Sequence, residues 1–425
     1  MDNRDKNIIA LTHVCRAWRQ VFVSRSSLWA DIDCMNANKT LVYLKRSRSF
    51  PINLSLSRVR NLSPHDHFIQ TVPHVIGRIK SIYIQGTLEN LQGITTHLSH
   101  PAPTLEDMSI IGGREFGPED VPILIPTLFG GDLSSLRKLC LEYVRTELPW
   151  RNMVNLTSLR LVNTSPISTD QLLDFLEGAF NLRDVDFCFK TPTSGDQNGR
   201  LVSLTHLKRM CIWGRPSPVL LDHLLIPVGV SLTAIVNLPR SPIEDHPPKF
   251  LNNLRNLPGF TTVEIFCGPD SQMQFSGPNG EVCLYPSNTY GDGTRFILKS
   301  LSLFDASKTE QLKIDFENHP STYPLHEVLL PMKDLRTLKL CRCASPNVLI
   351  HALDPRKRLS GIVICPKLED LVIEYQGTLD TEEVMKMTAA REARGAKLKF
   401  IAFLAVPVPT EVRTRPRPFR MHVGV

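Results

Sequence analysis

The sequence has no apolar run approaching the ~18 residues that a membrane-spanning helix needs. Its opening residues, MDNRDKNIIA, have no apolar core of the kind a secretory signal carries, so a cytoplasmic or nuclear protein is expected. Neither sign of charge dominates: 49 Lys and Arg stand against 42 Asp and Glu, a formal net charge of +7 on 425 residues. The densest basic pieces, Lys45-Arg46-Ser47-Arg48, Arg356-Lys357-Arg358 and the stretch from Arg413 to Arg420, are short and read as solvated surface. They are not interleaved with aromatics, which argues against a nucleic-acid footprint. The 10 cysteines are scattered, mostly inside apolar runs, as buried thiols in a reducing compartment are. No disulfide framework is expected, and by the same argument the Asn-X-Ser/Thr sites at Asn38, Asn53, Asn61, Asn155 and Asn163 carry little weight.

Signals for catalysis and metal binding are equally sparse. His65-Asp66-His67 resembles a metal fragment, but neighbours on a helix point in different directions and no second ligand pair lies at zinc spacing, so a helix start is the simpler reading. Cys341-x-Cys343 lies outside structural zinc spacings and reads as one buried and one partly exposed thiol. Gly291-Asp292-Gly293 falls short of a phosphate loop, and there is no nucleophile elbow or Walker motif. A protein that is not an enzyme and carries no metal or cofactor is expected.

What is present is a phrase that keeps returning: apolar, two residues, apolar, one residue, apolar. It reads IKSIYI from Ile79, LEDMSI from Leu105, LRKLCL from Leu136, LTSLRL from Leu156, LRDVDF from Leu182, LKRMCI from Leu207, FTTVEI from Phe260, LRTLKL from Leu335 and LEDLVI from Leu368. Weaker copies start at Leu232, Thr309 and Leu398. Leaving out the long interval after Phe260, the mean spacing is roughly 27 residues, the leucine-rich-repeat period. The alternation within each phrase predicts a short strand with one buried face. Helical returns follow: residues 65–76 place Phe68, Ile69, Val72, Val75 and Ile76 on one face, and Leu172, Leu173, Phe175 and Leu176 do the same later. Ser168 with Gln171 and Asp380 with Glu383 have capping-box spacing. The expected fold is therefore α/β: a leucine-rich-repeat solenoid with a curved parallel sheet and helices on its convex side. Its structural rival is a compact doubly wound α/β domain. Within the long interval, QMQFSGPNGEVCLYP reads as an inserted hairpin, about 272–298, more in the manner of a packing flap than a partner loop. The end, 406–425, is rich in Pro and Arg without periodicity and is expected to be a disordered tail.

Residues Leu11 to Ile32 read LTHVCRAWRQVFVSRSSLWADI. Leu11, Val14, Trp18 and Val21/Phe22 recur at three- and four-residue steps, predicting a helix that buries an aromatic ridge, with Leu28-Trp29 as a second anchor. VCRAWR followed about ten residues later by SLW resembles the second half of the F-box, the helical module that docks substrate receptors onto SCF-type ubiquitin ligases. The matching residues are Leu11, Val14, Cys15, Arg16, Trp18, Arg19, Ser27, Leu28 and Trp29, some 25 of the 425. The resemblance implies a small α-helical F-box-like remnant at 1–48 ahead of a solenoid at 49–405. It further implies adaptor binding through Leu11, Val14, Cys15, Trp18, Leu28 and Trp29, with an SCF adaptor and cullin scaffold as partners. The family's upstream Leu-Pro-x-Glu stretch and first apolar helix are not among the ten residues before Leu11, so the alternative is a leucine-rich-repeat interaction scaffold without ligase coupling.

Substrate binding is expected on the concave strip formed by the residues between the last two apolar positions of each phrase and those just beyond. Tyr83, Arg160, Asp186, Trp213, Lys339 and Glu374 are the candidates, with Tyr83 and Trp213 as hot spots and the charged residues setting orientation. A mixed-charge strip with aromatics suits a protein partner better than a polyanion or a membrane.

Overall fold

The computed structural model describes the chain apart from residues 1–9, 60–64, 113–122, 126, 147–151, 165–167, 189–199, 214–219, 237–252, 255–258, 268–270, 287–297, 299–300, 302–303, 317–324, 358–360, 377 and 407–425. Gly291-Asp292-Gly293, the arginines of the tail and the side chains of His65 and His67 lie outside the described residues. The chain is α/β and divides into two compact units, one of Met1–Pro258 with Asn279–Ser287, the other of Gly259–Pro278 with Asn288–Val425.

The first unit opens with α1 (Arg16–Ser24), a tight 3-10 turn at Ser26–Trp29, β1 (Asp31–Asp33), α2 (Ala37–Ser47), β2 (Ile52–Val59), α3 (His65–Val75), β3 (Ile79–Gly86) and α4 (Leu88–Thr95). It continues through β4 (Asp107–Gly112), β5 (Ile123–Ile125), β6 (Lys138–Glu142), β7 (Val144–Thr146), β8 (Ser158–Val162), α5 (Thr169–Gly178), β9 (Asp184–Cys188), β10 (Val202–Ser203), β11 (Arg209–Trp213), β12 (Leu224–Leu225) and β13 (Val230–Val236). The hairpin runs become β15 (Gln272–Gly277) and β16 (Gly280–Pro286), preceded by β14 (Thr262–Cys267). The second unit then runs through β17 (Gln311–Phe316), α6 (Leu325–Leu329), β18 (Thr337–Cys343), α7 (Pro346–Leu353), β19 (Asp370–Tyr375), α8 (Thr381–Glu392) and β20 (Phe400–Ala405).

Sixteen strands form a large, mostly parallel sheet. In the first unit the order β1-β2-β3-β4-β6-β8-β9-β11-β13-β16 is parallel throughout. In the second, β15 is antiparallel to β14, and β14-β17-β18-β19-β20 are parallel. All twelve phrases are strands. Two further strands, β1 and β2, precede them, and β1 joins the sheet from inside the segment expected to be wholly helical. The hairpin runs are strands as their alternation predicts, but neither is a flap: β16 pairs with β13 over seven residues and β15 with β14 over five.

The register stacks the phrases in columns. Ile82, Met108, Leu139, Leu159, Val185, Met210 and Leu232 lie side by side, and all are buried. Val263, Leu312, Leu338 and Leu371 do the same in the second unit. At about 25 cal/mol per Å² of apolar surface removed from water, each such leucine contributes about 2 kcal/mol, and continuity of the column keeps water from both its neighbours. In the return at 65–76, Val72, Val75 and Ile76 are buried as expected and Ile69 is half-buried, while the Phe68 side chain lies outside the described residues; α5 uses the face expected of it. Leu172, Leu173, Phe175 and Leu176 of α5 are buried, Ser168 and Gln171 form a reciprocal capping box, and the Asp380 side chain accepts from the Glu382 and Glu383 amides.

One weak copy carries a cost. Thr309, standing where other phrases have leucine, is fully buried and its hydroxyl has no hydrogen-bond partner. Cys341 and Cys343 are both buried, where one was expected to be partly exposed. Arg342 between them adopts φ 55, and the pairing of β18 with β19 shifts register between Leu340 and Cys343, so the simple alternation of faces is broken. Arg391 on α8 is a fully buried cation. Its guanidinium donates to the carbonyls of Ile364 at 2.8 Å, Cys365 at 2.8 Å and Leu353 at 3.5 Å, closing the connection between α7 and β19.

Two outcomes follow for stability. Gly280 sits at φ +120, and a Cβ there would lie 2.6 Å from the Val230 carbonyl oxygen, so Gly280→Ala should cost roughly 2–4 kcal/mol. Exposed Gly93 in α4 has open space around it, and Gly93→Ala should stabilise by about 0.5–1 kcal/mol. Urea unfolding of both variants checks the contrast. Arg391→Lys should lose about 2–3 kcal/mol in the same assay, because one ammonium cannot reproduce a fork spanning three carbonyls.

Candidate protein-docking surfaces

The N-terminal helical segment is assembled around Trp29. Its indole is fully buried and donates from Nε1 to the Phe22 carbonyl at 2.9 Å. The ring meets Tyr43 of α2 edge-on at 5.0 Å, and the Arg46 guanidinium lies over it at 4.3 Å. Trp29 thus ties α1 to α2, with Arg46 satisfying a cation–π contact that its place in a charge run did not suggest. The C-terminal end of α2 is held in turn by Arg78, which donates to the carbonyls of Leu44, Arg48 and Phe50 and to the Ser47 hydroxyl.

α1 itself differs from expectation. The helix expected from Leu11 onward is interrupted at Val14 and Cys15, α1 starts at Arg16 with no buried residue, and Val14, Trp18 and Val21 do not form a buried ridge: they are 62%, 48% and 58% exposed. Trp18 stacks on Phe22 at 5.7 Å, which presents a flat aromatic surface to solvent. Cys15 is exposed at the N-cap, while Leu11 and Leu28 are half-buried. Of the six candidate adaptor residues, Val14, Cys15 and Trp18 are on the surface, and Trp29 acts from the core by fixing the helix above it.

The outward side chains of the strands lie in rows. In the first unit the middle row runs Tyr83, Ser109, Cys140, Arg160, Asp186, Cys211, each opposite the next by register. Arg160 bridges two carboxylates on the strands either side of it: Glu142 of β6 at 2.8 Å and Asp186 of β9 at 3.1 Å. Tyr83 donates to Gln85 at 3.0 Å, and Trp213 packs against Tyr285 with ring centroids 5.3 Å apart. Tyr285 lies in the run read from the sequence as a flap. Its alternation with Glu281 and Cys283 was the signal that places it on the outward face.

In the second unit Lys339 pairs with Glu374 at 2.8 Å, Lys313 with Glu264 at 2.7 Å, and Arg342 with Asp315 at 2.7 Å. The charged residues named from the sequence are therefore partners of one another: Arg160 with Asp186, Lys339 with Glu374. They form half-buried crosslinks that set a fixed pattern of donors and acceptors, with the aromatic pair at one side of the first unit's strip.

The titration of the strip follows from its burial. Desolvation pushes the Cys140 and Cys341 thiols up to about 11 and raises Cys211 and Cys283, so these sulfurs are protonated at neutral pH. Burial likewise raises the Asp186 carboxyl, and the attraction of Arg160 and Arg209 does not fully offset it. Among the described residues, no group of three or more His, Cys, Asp or Glu side chains could hold a metal ion, and no helix is long and apolar enough to cross a membrane.

A carboxyl whose folded pKa lies above its unfolded value supports folding while protonated, and that contribution is lost as pH rises through the raised value. Asp186→Asn should therefore raise the thermal midpoint at pH 7 and leave it unchanged near pH 3, where the native group is protonated in both states. Thermal unfolding at the two pH values checks this, and a fall at pH 7 would show that the Arg160 bridge outweighs desolvation. Comparison with known proteins finds no family model that matches this chain and no curated protein that matches its sequence.

Proposed function

We propose that this chain is a leucine-rich-repeat receptor of the F-box type, the substrate-recognition subunit of an SCF-type ubiquitin ligase. The observation that carries the reading is the segment from Val14 to Val21. It matches the VCRAWR part of the F-box pattern, and its apolar side chains stand in solvent above a helix locked in place by Trp29. An exposed aromatic and aliphatic surface on a rigid support is what an adaptor-docking helix offers. The solenoid reading is supported by parallel strands that follow one another in chain order, β3 to β13 along the main sheet of the first unit and β14 and β17 to β20 in the second, each carrying a phrase of leucine-rich-repeat spacing.

In this reading the outward strip holds a protein substrate. Trp213 with Tyr285 supplies the apolar anchor, and the Arg160 and Lys339 crosslinks supply directional polar contacts. Bond making belongs to an associated ubiquitin-conjugating enzyme, and this chain contributes position, raising the effective concentration of a target lysine near the activated thioester.

Co-expression with an SCF adaptor and cullin tests the proposal. The wild-type chain should co-purify with both, and absence of both overturns it. Val14→Ser with Trp18→Ser should weaken adaptor binding at least about tenfold without lowering the thermal midpoint, since both side chains are exposed. Trp29→Ala should lower both. Charge reversal at Arg160 and Lys339 should leave adaptor binding unchanged.

A further inference from the structure

The residues before β4, β6, β8 and β9 in the first unit follow a backbone rule. Their carbonyls accept from the strand that comes next in the ladder: Glu106 from Arg137 and Lys138, Arg137 from Thr157 and Ser158, Thr157 from Arg183 and Asp184, Arg183 from Lys208 and Arg209. The rule brings the side chains of these residues to one edge, the N-terminal ends of β6, β8, β9 and β11. Three cations there are already engaged. Lys80 reaches Glu106 at 3.5 Å, Arg209 reaches Asp184 at 3.3 Å, and Lys138 attends the Asp107 carboxylate. Arg137, Arg183 and Lys208 are exposed, and among the described residues none of them has a carboxylate within ion-pair distance.

The second unit shows that this imbalance is not imposed by the fold. The same backbone positions there carry Glu310, Arg336, Glu369 and Lys399. Lys399 pairs with Glu369 at 2.8 Å, and Arg336 lies beside Asp334 and Glu369. Cation and carboxylate alternate in one unit, and unneutralised cations gather in the other. Beside Arg137 the first unit's edge also opens into a groove of about 600 Å³, lined by Lys80, Glu106, Ser135, Asn155, Thr157 and Asn181.

We propose that this edge of the first unit is a docking surface for an extended acidic segment of a partner protein, gripped by Arg137, Arg183 and Lys208. With strands about 4.8 Å apart, the three cations span about 14 Å, from β6 across β8 to β9 and β11. An extended peptide places side chains of one face about 6.8 Å apart, so three carboxylates at alternate positions cover the same span within five residues. The arrangement is a line, which suits several charges along a chain better than one multiply charged group. A protein fits better than a nucleic acid, because Glu106 and Asp184 interrupt the row and the residues of this edge include no aromatic on which bases could stack. Two arginine forks suit carboxylates in a bidentate manner. This surface lies at the ends of the strands, so the inference goes beyond the adaptor and strip reading and does not rest on it.

The test uses the full chain and a fluorescent twelve-residue peptide of alternating Glu and Ser, followed by anisotropy at about 50 mM salt. Saturable binding that weakens as salt rises is expected. Arg137→Gln, Arg183→Gln and Lys208→Gln together should reduce affinity at least about tenfold, and Arg183→Gln alone about threefold. The charge-matched control Lys308→Gln, Lys333→Gln and Arg336→Gln in the second unit should change it less than about twofold. No binding by the wild-type chain, equal loss in both triple variants, or tighter binding of a single-stranded RNA of equal charge would each overturn the proposal. Adaptor co-purification of the same variants is expected to be intact, which separates failure here from failure of the ligase reading.

Discussion

Strands β6, β8, β9 and β11 of the first unit and β17 to β20 of the second each open by giving two backbone amides to one carbonyl at the start of the preceding strand, and the rest of the architecture depends on that connection. Arg137 and Lys138 donate to Glu106 at 2.8 and 3.0 Å, and Glu369 and Asp370 donate to Arg336 at 2.8 and 2.9 Å. The bond pair fixes where a strand begins relative to its neighbour, and because side chains alternate faces, a slip by one residue would turn every buried leucine outward. A turn immediately upstream reinforces the register: the amides of Leu136, Leu156, Leu182, Leu335 and Leu368 each donate three residues back before the strand starts. Polar side chains just ahead of those leucines add a second tie between successive turns. Thr104 donates to the Ile79 carbonyl, Ser135 to Pro103, Asn155 to Ser134 and Asn181 to Val154.

Once the leucines are committed inward, the chemistry of the outward face is set by half-burial. A lone half-desolvated charge is unfavourable, so Arg160, Lys313, Lys339 and Arg342 each carry a carboxylate within 3.1 Å. At the strand ends, where side chains reach bulk water, that constraint relaxes and cations stand unpaired. Solvation therefore requires pairing on the strip and only permits unpaired charge at the strand ends, where the first unit carries Arg137, Arg183 and Lys208 and the second alternates cation with carboxylate.

How much of this was legible in the sequence depended on the range of the interaction. The strand phrases were, because a period of two within a period of about 27 is a local pattern. So were the capping residues Ser168 and Asp380, whose bonds close within three residues. The hairpin runs were recognised as strands but not placed, since β16 pairs with β13 from more than forty residues away and nothing local marks that partner. That Cys341 and Cys343 are both buried was not legible, because the positive φ at Arg342 and the register shift beside it break the alternation of faces. For the candidate site, the outward residues were identified by position, while their pairings, such as Arg160 with Asp186 or Trp213 with Tyr285, needed register and could not be read from one phrase at a time.

By itself, then, the sequence determined that this is an α/β chain of repeated short strands with inward leucines. Those are properties of periodicity and spacing, which a linear chain expresses directly. The tertiary structure decided which of the patterned residues are free to meet a partner. Trp18 and Trp29 belong to one motif and are both aromatic, yet packing against Tyr43 and Arg46 buries the second and leaves the first in solvent. Exposure is set by what folds over a side chain, and that comes from elsewhere in the chain.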